Sequence, residues 1–206
     1  FRGRGFSTKM SYLLGLTGSI GMGKSTTAAL FAARGCLIWD ADLTVHRAYS
    51  EGGDGIAEIR KIAATAIDSN GVNRDKLRTL ILEDRTLLAK IEAIIHPIVQ
   101  KDRQAFITSN PGSILVFDIP LLFELNSESD FDAVACVLST LEMQKTRVMA
   151  RPGMTRAHLE MIISKQLPAA DKAARANYII DTATEDTAIA AVDSVLKDIK
   201  RKVENA

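Results

Sequence analysis

Eight residues constrain this chain more than any others. Gly18-Ser19-Ile20-Gly21-Met22-Gly23-Lys24-Ser25 fits G-x-x-x-x-G-K-[ST]. Tyr12–Thr17, just before it, is a short and nearly all-apolar run, as expected of a parallel strand buried on both faces. From Lys24 the residues Ala28, Ala29, Leu30, Phe31 and Ala32 favour or tolerate helix. A strand, a glycine-rich turn and a helix in that order form a phosphate-binding loop. The glycines let the backbone wrap close to an anion, successive N–H groups point inward as a nest, and the helix start adds its positive dipole end. Lys24 then reaches the β- and γ-phosphates of a nucleoside triphosphate, and the Ser25 hydroxyl ligates magnesium. Gly18, Ser19, Ile20, Gly21, Met22, Gly23, Lys24, Ser25 and Thr26 form the expected ATP-binding set, with Ser25 the metal ligand. The motif defines the ligand class without separating kinase, ATPase, GTPase and synthetase.

The rest of the chain is consistent with one α/β unit carrying insertions. At 206 residues it suits a single such unit, and its apolar and charged fractions are ordinary for a globular protein. A formal net charge of +1 gives no global basic field, which argues against nucleic acid as the main partner. The longest apolar runs are too short to cross a bilayer. Cys36 and Cys136 are remote from one another and each sits in an apolar run, so both are expected as buried, reduced thiols.

Further strands are expected at Cys36–Trp39, Ile114–Asp118, Ala133–Leu138 and Tyr178–Asp181, with Gly35 stopping the first helix. Ile189, Val192, Leu196, Ile199 and Val203 form the apolar face of a helix over roughly 186–203. Strands alternating with helices predict a three-layer α/β fold with a mostly parallel central sheet. Residues 51–107 read instead as an inserted helical subdomain, with a turn at Asn70-Gly71 and a break at Pro97. Residues 141–166 read as two helices split at Pro152-Gly153, a lid. The core is then 10–50, 108–140 and 167–206. Residues 1–9, basic and without an acid, read as a terminal extension, either a tag or transit-peptide remnant or native.

Carboxylates at strand ends are the next candidates. Asp40-Ala41-Asp42 ends the second strand, where α/β sheets open on their ligands; an Asx turn or helix cap is the alternative. Asp118 ends an apolar strand in the Walker B manner. Gln144, Arg147 and Arg151 are spaced three and four apart on one helical stretch, where arginines can neutralise triphosphate charge or simply face solvent.

In this order, Leu16–Thr26, Asp40–Asp42, His96-Pro97, Phe117–Glu124, Gln144–Arg151 and Gln166 closely resemble the dephospho-CoA kinase family from about Met10 to Ile180. The resemblance implies transfer of the ATP γ-phosphoryl group to the ribose 3′-hydroxyl of dephospho-CoA. It implies Asp42 as base or orienter, Lys24 and Arg147 at the phosphates with Arg151 in support, and Thr17, His96 and Asp118 on the acceptor side. It also implies ATP and Mg2+ as cofactors, with dephospho-CoA and ATP as small-molecule partners. Neither nucleic acid nor membrane is expected, the protein being a monomer or weak homo-oligomer in the cytoplasm, or in an organelle if residues 1–9 are a transit remnant. The family often has Arg-Asp where this chain has Arg151-Pro152, and Ala-Asp where it has Ala176-Asn177. Another small-molecule P-loop kinase, for a nucleoside, a sugar acid or shikimate, is the nearest rival. A GTPase is more remote: Asp68-Ser69-Asn70-Gly71 fits D-x-x-G, but no N-K-x-D follows.

Overall fold

A computed structural model describes residues 10–205; the extension expected at 1–9 lies outside the described residues. In chain order the elements are β1 (Tyr12–Thr17), α1 (Lys24–Ala32), β2 (Leu37–Asp40), α2 (Ala41–Tyr49), α3 (Ile56–Ile62), β3 (Ile67–Asp68), β4 (Gly71–Val72), α4 (Arg74–Glu83), α5 (Thr86–Ser109), β5 (Ile114–Asp118), β6 (Ala133–Leu138), α6 (Leu141–Met149), α7 (Arg156–Ser164), α8 (Ala169–Arg175), β7 (Tyr178–Asp181) and α9 (Glu185–Glu204). The described residues fall into two compact units, 10–39 with 110–205, and 40–109.

The first unit is built on a five-stranded sheet in the order β2-β5-β1-β6-β7. β1 runs parallel to both neighbours, Leu14 facing Val116 on one side and Ala133 on the other. β6 and β7 are also parallel. That central position explains the apolar run: Leu14 and Leu16 are fully buried, as parallel strands covered on both faces must be. α1 and α9 cover one side, where Phe31, Val192, Leu196 and Ile199 join Leu14, Leu16, Val116 and Val137 in one core. α9 begins at a capping box in which the Thr184 and Thr187 side chains and backbone satisfy one another. A smaller cluster of Leu122, Phe123 and Val134 packs with Ile119, Phe131 and Leu167.

The second unit is a helical cluster around α5, against which α2, α3 and α4 each pack. Its core is Ala48, Ile59, Ala66, Leu77, Leu87, Ile91 and Ile95. It starts at Asp40, whereas the sequence reading began the insertion at 51, because α2 packs here through Ala48. Two expectations are corrected within it. β3 and β4 form a two-stranded antiparallel ribbon where no strand was expected. α5 runs unbroken through Pro97. Proline removes one hydrogen bond and strains one turn, but Leu87, Ile91 and Ile95 fix the helix on one side of it and Ile98 and Val99 on the other. The Asp68–Gly71 segment is the ribbon's turn, with Asp68 accepting from the Asn70 N–H (2.9 Å), so D-x-x-G here is an Asx turn.

Candidate active site

The loop between β1 and α1 has the expected form. Gly21 and Gly23 take positive φ (76° and 92°), and the Ser19 carbonyl accepts from the Met22 N–H at 3.1 Å. A Cβ on Gly21 would lie 2.5 Å from Val148 Cγ2, and one on Gly23 would lie 3.0 Å from Thr182 Oγ1. Glycine is therefore required both by conformation and by close packing. Gly23 precedes α1 and offers no side-chain cap. The first-turn N–H groups of α1 have no intrahelical acceptor, so this helix start is suited to an anion. Met22 is 1% exposed and its side chain belongs to the core, leaving only its backbone to line the loop.

Lys24 and Asp118 form an ion pair, with side chains 17% and 7% exposed. The pair joins the loop to the carboxyl end of β5, beside β1. Ser25 and Thr26 are exposed in the first turn of α1. Thr17 is fully buried, and its hydroxyl donates to the Pro120 carbonyl (3.1 Å). That bond braces the entry to the loop.

The segment 141–166 is two helices with the break at 150–155, as expected. Gln144 and Arg147 share a face of α6, but the helix ends at Met149, so Arg151 lies in the following turn, exposed. Gln144 is only 5% exposed. Arg147 donates from Nη2 to the Thr182 carbonyl (2.7 Å) and from Nη1 to Thr182 Oγ1 (3.3 Å). Thr182 Oγ1 in turn lies 2.7 Å from the Met22 carbonyl. Arg147 is thereby held beside the phosphate loop with other guanidinium donors to spare.

In the unit 40–109, Asp40 and Asp42 have separate roles. Asp40 caps α2, its carboxylate accepting from the Leu43 N–H at 2.9 Å. Asp42, in the first turn of the same helix, is exposed. The alternative of a helix cap thus holds for Asp40. His96 is exposed on α5, next to Pro97.

Several residues important to the site carried no signal of their own. Lys172 is fully buried on α8, paired with Glu124 (2.8 Å) and near the Pro120 carbonyl (3.4 Å). Burial pushes the Glu124 carboxyl upward, but Lys172 and the Leu167 N–H outweigh it and hold the carboxyl low. Thr182 also had no pattern to mark it. Asn177, where the family often has aspartate, accepts from the Val134 N–H (2.8 Å), and β7 forms normally.

Among the described residues no group of three or more His, Cys, Asp or Glu is placed to hold a metal ion. Magnesium in a triphosphate site takes phosphate oxygens, water and one or two protein oxygens, so Ser25 and Asp118 suit that ligand set.

A mostly parallel sheet, a glycine loop with its lysine paired to a strand-end carboxylate, and an arginine held against that loop define a P-loop nucleotide-binding fold. The family model described as dephospho-CoA kinase matches residues 12–187. The chain belongs to that family. It is 50% identical over 191 residues to the dephospho-CoA kinase of Ruegeria pomeroyi, covering 93% of this chain and 97% of that protein. With the dephospho-CoA kinase of Cereibacter sphaeroides it shares 43% identity over 189 residues, covering 92% and 96%. The crystal structure of TT1252 from Thermus thermophilus superimposes with a TM-score of 0.83 at 29% identity, covering 92% of this chain and 98% of that one.

Proposed function

We propose that this chain transfers the γ-phosphoryl group of ATP to the ribose 3′-hydroxyl of dephospho-CoA, giving CoA and ADP, the last step of coenzyme A biosynthesis. The observation that carries the reading is the family match over 12–187, in a chain whose Lys24 and Asp118 are joined beside the phosphate loop.

Phosphoryl transfer asks the protein mainly for alignment and charge neutralisation. The loop N–H groups and Lys24 bind the β- and γ-phosphates. Arg147, with Arg151 near the same turn, neutralises charge that builds on the transferred group. Asp42 accepts the proton of the 3′-hydroxyl as its oxygen bonds to phosphorus and the bond to the ADP oxygen breaks. Magnesium, when bound, draws charge from the phosphate oxygens; Ser25 and Asp118 would hold it. Asp118 also serves the acceptor side, His96 contributes to acceptor binding, and the unit 40–109 recognises the CoA moiety. The segment 141–166 acts as the lid. The cytoplasm is the compartment this reading assigns. It is in keeping with bacterial relatives and with two buried free thiols, and no helix among the described residues is long and apolar enough to cross a membrane.

The test is product analysis after incubation with Mg-ATP and dephospho-CoA. CoA and ADP in equal amounts, lost in Lys24→Ala, are the expected result. A folded, ATP-binding protein that forms no CoA contradicts the reading.

A further inference from the structure

Two glutamines grip one residue of the phosphate loop from opposite ends of the 141–166 segment. Gln144, on α6, donates from Nε2 to the Ile20 carbonyl (2.8 Å). Gln166, beyond α7, accepts at Oε1 from the Ile20 N–H (3.1 Å). The orientation of each amide follows from its partner, since a carbonyl needs a donor and an N–H needs an acceptor. Together they fix both polar backbone atoms of Ile20, hence the planes of the two peptides that flank it. The second plane matters for chemistry. In a trans amide the N–H points opposite to the C=O, so turning the Ile20 carbonyl toward α6 sends the Gly21 N–H away from α6.

The arm that bears Gln166 is itself anchored. The Glu124 carboxylate accepts from the Leu167 N–H (2.8 Å), and Glu124 is paired with the fully buried Lys172. Through that hydrogen bond Glu124 fixes residue 167 beside Gln166. The other arm is fixed by packing, with Gln144 buried and Val148 against Gly21.

We infer that Gln144 and Gln166 are positioning residues that hold the loop in its anion-binding form by clamping Ile20, with Glu124 and Lys172 anchoring the Gln166 side. The inference rests on the nucleotide-binding part of the proposed function and is independent of which acceptor is used. It assigns opposite requirements to the two glutamines: a donor at 144 and an acceptor at 166.

Four single variants test it: Gln144→Met, Gln144→Glu, Gln166→Met and Gln166→Glu. Each is read by calorimetric affinity for a non-hydrolysable ATP analogue and by the ATP KM against kcat, with a melting curve to establish folding. Losing one loop hydrogen bond should weaken nucleotide binding roughly ten-fold, with kcat changed less. At 144 glutamate, which faces a carbonyl with another acceptor, should bind worse than methionine. At 166 the order should reverse, glutamate keeping the bond that methionine loses. Should Gln166→Met not fold, Gln166→Asn, one methylene too short to reach Ile20, supplies the same comparison.

A shared order at both positions would overturn the clamp: glutamate worse at both means simple repulsion of phosphate, and equal losses mean packing alone. Unchanged affinity in all four would overturn it as well. The reversed order among the variants, together with a wild-type chain that makes no CoA, would sink the acceptor assignment and uphold the clamp.

Discussion

At the scale of single residues, the roles proposed for Asp42 and Arg147 can be tested separately. Asp42 is exposed in the first turn of a helix whose cap is supplied by Asp40, so its carboxylate has no structural duty there. Asp42→Asn should therefore lower kcat by roughly 10²–10⁴ while leaving ATP affinity and melting temperature near wild type; a wild-type kcat would remove it from the mechanism. Arg147 differs, because Thr182 links its guanidinium to the loop. Arg147→Ala should raise the ATP KM roughly ten- to hundred-fold, the worth of a charged hydrogen bond, with the acceptor KM little changed. Steady-state titration of each substrate in turn reads this directly. Gly21 has a steric prediction. A methyl there meets Val148 at 2.5 Å in a left-handed backbone, so Gly21→Ala should cost about 1–3 kcal/mol in urea unfolding and weaken ATP binding with it.

Among the elements, β7 and α9 are joined by a polar cluster at their far ends. Tyr178 on β7 donates to Asp198 on α9 (2.7 Å), and Lys202 lies 3.0 Å from the same carboxylate. The Tyr178 hydroxyl first, and then Lys202, lower the Asp198 carboxyl to about 2. A depressed carboxyl stabilises the fold above its ordinary value of 3.8, and that increment is lost as pH falls toward about 2. Asp198→Asn should melt lower than wild type at neutral pH, and the two curves should converge below about pH 2. Parallel melting curves across the whole range would show that the cluster is not coupled to folding. The two cysteines belong to this scale as well. Burial pushes the thiols of Cys36 and Cys136 up to about 11, which suits inert packing groups.

On the scale of the whole molecule, what could be read from the sequence depended on whether local signals and tertiary packing agreed. The buried strands at Tyr12–Thr17, Ile114–Asp118 and Ala133–Leu138 stand where their apolar runs placed them, because a strand covered on both faces has one solution, and the edge strand Tyr178–Asp181 also forms at its run, with Ile180 buried and Ile179 exposed. The phosphate loop was legible because its backbone form requires glycine at fixed places. β3 and β4, of two residues each, are too short to show a period. Pro97 misled because a local breaker was overruled by apolar contacts on both sides of it. Lys172, in an alanine-rich helix with charges on either side, looked like a surface lysine; only the fold shows that Glu124 meets it in a buried pair. Gln144 and Gln166 could be seen as motif residues, but not that both reach Ile20, which lies 124 and 146 positions away in sequence.

The most direct test of the central claim is a comparison of acceptors under one set of conditions. Purified protein with Mg-ATP would be assayed for kcat/KM on dephospho-CoA, adenosine and shikimate by the ADP formed. The account predicts that dephospho-CoA is preferred by several orders of magnitude, because a site shaped to hydrogen-bond one acceptor rejects those that leave its polar groups unpaired by roughly 10⁴–10⁵. Comparable or greater turnover of adenosine or shikimate would contradict it and leave a P-loop kinase of different acceptor.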